Sequence, residues 1–239
     1  MLKSLYEAIR KDAPAQEIKL NGRTYTTGSI FKVGRPLPDP LRVKTLTAIV
    51  DYLKSNVDSL GFSNLICHIE SPASVKIYSG LLGDFNERDL YIEANLEQLQ
   101  LKFNTYLSGE TFNILLQSCF LDYPDDVTKA TDRGLVLAYC SSVREVAEGV
   151  TLDDGVTQAV TVKKGIASVE NVTLPNPVTL RPYRTFAEVE QPASQFVFRA
   201  AEGPEFMLVE ADGGAWKSEA MRNIKKFMEF EVPGLAVIA

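Results

Sequence analysis

One histidine and three cysteines among 239 residues leave this chain poor in the side chains that most often hold metals or pair as nucleophile and base. Cys67, Cys119 and Cys140 lie far apart, and no two of them share a C-x-x-C spacing. They read as buried thiols in a reducing compartment, with no disulfide framework and no zinc site. His68 follows Cys67 directly in LICHIES. Neighbours on a strand point to opposite faces, so these two cannot form a dyad, although Cys119 or Cys140 can still meet His68 in space.

Long apolar runs are missing as well. No stretch approaches the roughly 18 uninterrupted apolar residues of a membrane span. The first residues, MLKSLYEAIRKD, carry charges at Lys3, Glu7, Arg10, Lys11 and Asp12 that break up any signal-peptide core. A cytoplasmic protein without a membrane partner is expected. The charge balance is 31 acidic against 25 basic residues, net −6, and no basic stripe is present. Non-specific binding to duplex nucleic acid draws on phosphate neutralisation and is disfavoured by that balance.

There is no phosphate-binding G-x-x-x-x-G-K-[ST] loop, no H-E-x-x-H and no G-x-S-x-G elbow. Asp122, Asp125, Asp126 and Asp132 lack the regular alternation of a calcium loop and are expected to cap and solvate helices, as Asp153-Asp154-Gly155 is expected to form a turn. No catalytic residue, metal or cofactor is assigned, and the chain is expected not to be an enzyme.

What is present is ordinary globular composition, 45% hydrophobic and 23% charged, in a length that supports a real core. Leu2, Leu5, Tyr6 and Ile9 form one face of a short helix, and Asn21-Gly22 marks a two-residue hairpin turn. Asp39 as cap and Pro40 at the first helical position predict a helix whose stripe is Leu46, Ile49, Val50, Leu53 and Val57. LICHIES, VKIYSGL and RDLYIEANL then read as an antiparallel meander. Helical spacing returns from Ser108 to about Tyr139, with a second segment opening at Pro124.

Beyond Val143, alternating Val and Thr with turns at Asp154-Gly155 and Lys164-Gly165 predict a β-rich half. Pro175, Pro177, Pro182 and Pro192 belong at strand ends or corners, because proline cannot donate to a ladder. FVFRA and EFMLVEA pair, and a helix from about Gly214 to Phe230 closes that second sheet.

The fold class is therefore α+β with antiparallel sheets. It divides into an N-terminal helix, hairpin and extended arm (1–38), a helix-packed meander (39–143), and a β-rich half with a closing helix and apolar tail (144–239), the last two closely packed.

Two surfaces invite function. Arg181, Tyr183 and Arg184 in LRPYRTF place two guanidiniums around a ring, which suits phosphate contact or stacking, or equally covers apolar surface at a sheet corner. The tail GLAVIA offers Leu235, Val237 and Ile238 to a neighbouring copy's sheet edge or groove, or else folds back on its own helix.

From roughly residue 40 to residue 230, LTAIVDYLKSNVD, HIESPASVKIYSGL, RDLYIEA, DDGVTQAVTVKKGIA, LPNPVTLRPYRTFAEVEQPASQFVFR and EADGGAWKSEAMRNIKKFME together resemble the YfdQ-like domain-of-unknown-function group of phage and prophage proteins. The resemblance implies a phage-encoded cytoplasmic protein made alongside replication, recombination or host-interaction genes. It carries over no catalytic residue. The expectation is a homo-oligomer that acts by binding. The rivals are a single-stranded nucleic-acid accessory factor and an anti-defence protein that sequesters a small nucleotide or a host protein.

Overall fold

The computed structural model describes residues 17–20, 23–26, 38–83, 86–97, 101–122, 131–145, 151–153, 158–164, 168–201 and 204–239. The chain divides into two compact units, Met1–Pro38 and Asp39–Ala239. In the first, β1 (Glu17–Leu20) and β2 (Arg23–Thr26) pair antiparallel with Leu20 opposite Arg23. This is the register a two-residue turn imposes. The turn residues and the helix expected from Leu2 to Ile9 lie outside the described residues.

The second unit holds two five-stranded sheets, each with its own core. In the first sheet, β4 (Leu65–Ser71), β5 (Ser74–Ser79) and β6 (Leu90–Asn95) form the expected meander. Along β4, Leu65, Cys67 and Ile69 are buried while Ile66, His68 and Glu70 face outward, the period-two alternation of a strand covered on one face. Helix α1 (Leu46–Ser55) lays Leu46, Ile49, Val50 and Leu53 on that buried face. Each such side chain contributes roughly 1.5–3 kcal/mol on leaving water.

The start of α1 differs from the reading of Asp39-Pro40. Leu41–Val43 is a strand, β3, paired in parallel with β6, and Arg42 Nε donates to Glu93 at 3.1 Å. The helix begins only after Thr45, whose hydroxyl accepts the Ala48 N–H at 3.3 Å. A local cap signal lost to a ladder that pairs residues far apart in sequence. The helix stops at Asn56, in the left-handed region at φ 49°, so Val57 falls beyond it and is 71% exposed.

The second sheet has the order β7 (Leu107–Ser108), β14 (Glu205–Glu210), β13 (Ser194–Ala200), β12 (Val178–Pro182), β8 (Phe120–Leu121). Helices α2 (Gly109–Cys119) and α3 (Arg133–Glu145) supply Phe112, Leu116, Val136 and Tyr139 to its core. Phe198 meets Tyr139 edge-on at 5.3 Å between ring centroids and Phe112 at 5.9 Å, geometries that aromatic quadrupoles favour. The opening expected at Pro124 lies outside the described residues. A third sheet joins β9 (Thr151–Asp153), β10 (Gln158–Lys164) and β11 (Ser168–Leu174). Gly155 and Gly165, expected at its turns, are outside the described residues. All four prolines named above stand at strand boundaries: Pro175 and Pro177 between β11 and β12, Pro182 as the last residue of β12, and Pro192 ahead of β13.

The terminal helix α4 (Ala215–Glu231) does not close the second sheet. Its buried Ile224 and Met228 join the core of the first, with Cys67, Ile69 and Leu53. The reason lies downstream, where β15 (Ala236–Ile238) pairs in parallel with β4 and sets Val237 opposite Cys67. An edge strand on the first sheet draws the preceding helix onto the same sheet, and Lys54 of α1 locks its end through Glu231 at 2.7 Å.

Candidate functional site

Residues 183–193, between β12 and β13, fold around one side chain. Gln191 is almost wholly buried. Its Oε1 accepts the backbone N–H groups of Arg184 at 3.0 Å and Thr185 at 3.1 Å, and its Nε2 donates to the carbonyls of Thr185, Phe186 and Val189. A buried amide with both ends engaged gives the loop the hydrogen bonds that a ladder would otherwise supply.

The same loop is fastened to the first sheet. Phe186 and Val189 insert into its core. The Thr185 hydroxyl donates to the Pro72 carbonyl at 2.6 Å, and Asn223 Nδ2 donates to the Glu190 carbonyl at 2.9 Å. Glu188 Oε1 accepts the Thr47 backbone N–H at 3.1 Å, a carboxylate in the first turn of α1 where the helix dipole favours it.

This fastening fixes Arg184. Its side chain is 6% exposed, with Nη1 donating to Glu210 and Nη2 to the Ser194 hydroxyl. The guanidinium carbon lies 4.1 Å from the Trp216 ring centroid, 5.6 Å from that of Phe196 and 6.0 Å from that of Phe103. Burial pushes the Arg184 pKa down while the Glu210 and Asp212 carboxylates push it up. A guanidinium keeps its charge in such surroundings.

Beside this stack lies a cavity of about 500 Å³, within the size range of small-molecule sites. Pro72 and Ala73 of the β4–β5 turn form one wall, and Leu96, Leu101 and Phe103 form the next. Tyr183 and Arg184, Glu210 at the end of β14, and Trp216 with Lys217 at the start of α4 complete it. The lining is mostly apolar and aromatic, with Ser71, Arg184, Glu210 and Lys217 as its polar groups.

The start of α4 is already capped. Gly213 and Gly214 adopt φ of 60° and 81°, a left-handed turn that glycine makes at little cost. Asp212 then accepts the Gly214 N–H at its Oδ1, 3.0 Å, and the Ala215 N–H at its carbonyl, 3.1 Å. Burial raises the Asp212 pKa. The Ser194 hydroxyl, the Gly214 N–H and the Arg184 charge together outweigh burial and hold it below the usual carboxylate range.

The three residues read together in LRPYRTF separate here. Tyr183 and Arg184 line the cavity, while Arg181 pairs with Glu190 at 3.2 Å and donates to the Gln191 carbonyl at 2.9 Å. In the tail, Leu235 and Val237 are buried in the first core, and Ile238 is 51% exposed on the edge strand. Cys67 and His68 point to opposite faces of β4, and burial pushes the Cys67 thiol up to about 12. Asp122 pairs with Arg133 at 3.2 Å, and Asp132 Oδ2 accepts the Thr179 N–H at 2.7 Å. Asp125 and Asp126 lie outside the described residues. Among the described residues no group of three His, Cys, Asp or Glu side chains could hold a metal ion, and no helix is long and apolar enough to cross a membrane.

Reading the sequence missed Phe103, Glu210, Trp216 and Lys217 as site residues. The one available signal for Trp216 was that the single tryptophan of the chain follows the pair Gly213-Gly214 with only Ala215 between them. No family model, curated protein or solved structure matches the chain.

Proposed function

We propose that this protein acts by binding and not by catalysis, and that a small molecule occupies the cavity beside Arg184. The observation that carries the reading is the Arg184–Trp216 stack. A charged side chain is held rigidly among three rings at the wall of a cavity of about 500 Å³. Rigid aromatic and cationic groups in a largely apolar cavity are what a ligand site needs, and a preformed site costs little ordering when it fills. In the phage setting that the resemblance implies, the protein sequesters a host small molecule in the bacterial cytoplasm. The test is mass spectrometry of small molecules released by denaturing the purified full chain. A compound recovered in stoichiometric amount from wild type and lost from Ala73→Phe supports the reading. Equal recovery from both contradicts it.

The single-stranded nucleic-acid reading is less favoured, because Arg181 and Arg184 are both engaged with carboxylates inside the chain. Self-assembly is kept as a second reading on one observation, the exposed Ile238 on the edge strand β15. An edge strand offers unpaired backbone groups to a second copy. Light scattering of wild type against Ile238→Asp checks it: a multiple of 26.4 kDa that falls to the single-chain mass supports assembly, and a single-chain mass in both removes it.

A further inference from the structure

The inference rests on the binding reading above and narrows what binds. We infer that the cavity takes a planar heteroaromatic compound of nucleoside type, uncharged or nearly so, in preference to a nucleoside polyphosphate. Three observations converge on this class.

The first is charge. Arg184 and Lys217 bring two positive charges to the wall, Glu210 brings one negative charge, and the Asp212 carboxylate lies close enough to Arg184 to oppose part of the lowering that burial imposes on its pKa. The four sum to zero, so a polyphosphate gains no net attraction.

The second is the helix end. The N-terminus of α4, which carries the partial positive charge that attracts phosphates, already has Asp212 on its Gly214 and Ala215 N–H groups. A phosphate placed there meets a carboxylate.

The third is the pairing of flat surfaces with a polar edge. Phe103, Tyr183 and Trp216 supply the rings. Arg184 has five N–H donors, and its bonds to Glu210 and Ser194 use one on each terminal nitrogen. Glu210 beside it is 39% exposed and accepts. Donors next to an acceptor complement a ring edge that carries the reverse pair, as the amide and amidine edges of nucleobases do. Unmet groups on such an edge discriminate strongly, because a buried donor left without a partner costs about 1–3 kcal/mol.

The chain contains a single tryptophan, Trp216, so its fluorescence reports on this cavity alone. The full chain is titrated with the four ribonucleosides, their triphosphates and decanoate. The expected result is a saturable change with at least one nucleoside, with its triphosphate about tenfold weaker or worse, a gap of about 1.4 kcal/mol. Glu210→Gln should narrow that gap by removing the repelling charge, and Phe103→Leu should weaken the nucleoside several-fold. A triphosphate that binds as tightly as its nucleoside overturns the inference and leaves the binding reading standing. So does saturation by decanoate alone. No response to any probe overturns this inference, and with no compound recovered by mass spectrometry it overturns the binding reading too.

Discussion

The side-chain oxygen of Gln191 accepts the backbone N–H of Arg184 at 3.0 Å, so the residue that shapes the loop also sets the position of the cation at the cavity wall. Framework and site are the same hydrogen bonds in this segment. Gln191→Leu should therefore lower stability by about 3 kcal/mol, because two buried backbone donors lose their acceptor. Urea unfolding measures the loss. Retention of wild-type stability would contradict the assignment of the Gln191 hydrogen bonds as the framework of this loop.

A second expectation concerns acid. Asp212 titrates below its ordinary value in the folded chain, so its contribution is present above the unfolded carboxylate pKa, about 3.9. That contribution is lost as pH falls through the lower folded value. Arg184→Met removes one cause of the lowering, so stability should fall less steeply with acid in the variant than in wild type. Urea midpoints across the acid range read the difference, and parallel curves would show that Arg184 does not act on Asp212.

Thiol accessibility tests the placement of the strands and helices that carry the cysteines. Cys67 and Cys140 are buried in the two cores with their pKa values raised, and Cys119 is half-buried. A thiol reagent should modify Cys119 first under native conditions, with all three groups reacting in urea. Fast native modification of Cys67 would contradict the seat of β4.

The two faces of β15 make opposite predictions. Val237→Asp puts a carboxylate into the first core and should be strongly destabilising, whereas Ile238→Asp should change stability by no more than about 0.5 kcal/mol. Thermal unfolding of the pair checks it, and equal losses would mean that β15 does not sit with Val237 inward.

Much of this architecture could be read from local pattern. Alternation in LICHIES placed the meander, and the refusal of proline to donate placed Pro175, Pro177, Pro182 and Pro192 at strand boundaries. What escaped was set by pairings distant in sequence. The parallel ladder of β3 with β6 moved the start of α1 from Pro40 to Leu46, and the ladder of β15 with β4 carried α4 to the first sheet. The site was half legible for the same reason. Tyr183 and Arg184 stand next to each other in sequence, but Phe103, Glu210 and Trp216 reach them only through the fold.

The central claim is that the cavity beside Arg184 is a binding site, and calorimetric titration of wild type and Ala73→Phe with the four ribonucleosides tests it most directly. Ala73 lines the cavity without belonging to either core, so a larger side chain there should fill the space and leave the urea midpoint unchanged. Saturable one-to-one heat in wild type, absent from Ala73→Phe, is the predicted result. Heat in neither protein would contradict the nucleoside assignment alone, whereas heat of the same size in both would contradict the claim that this cavity is the binding site.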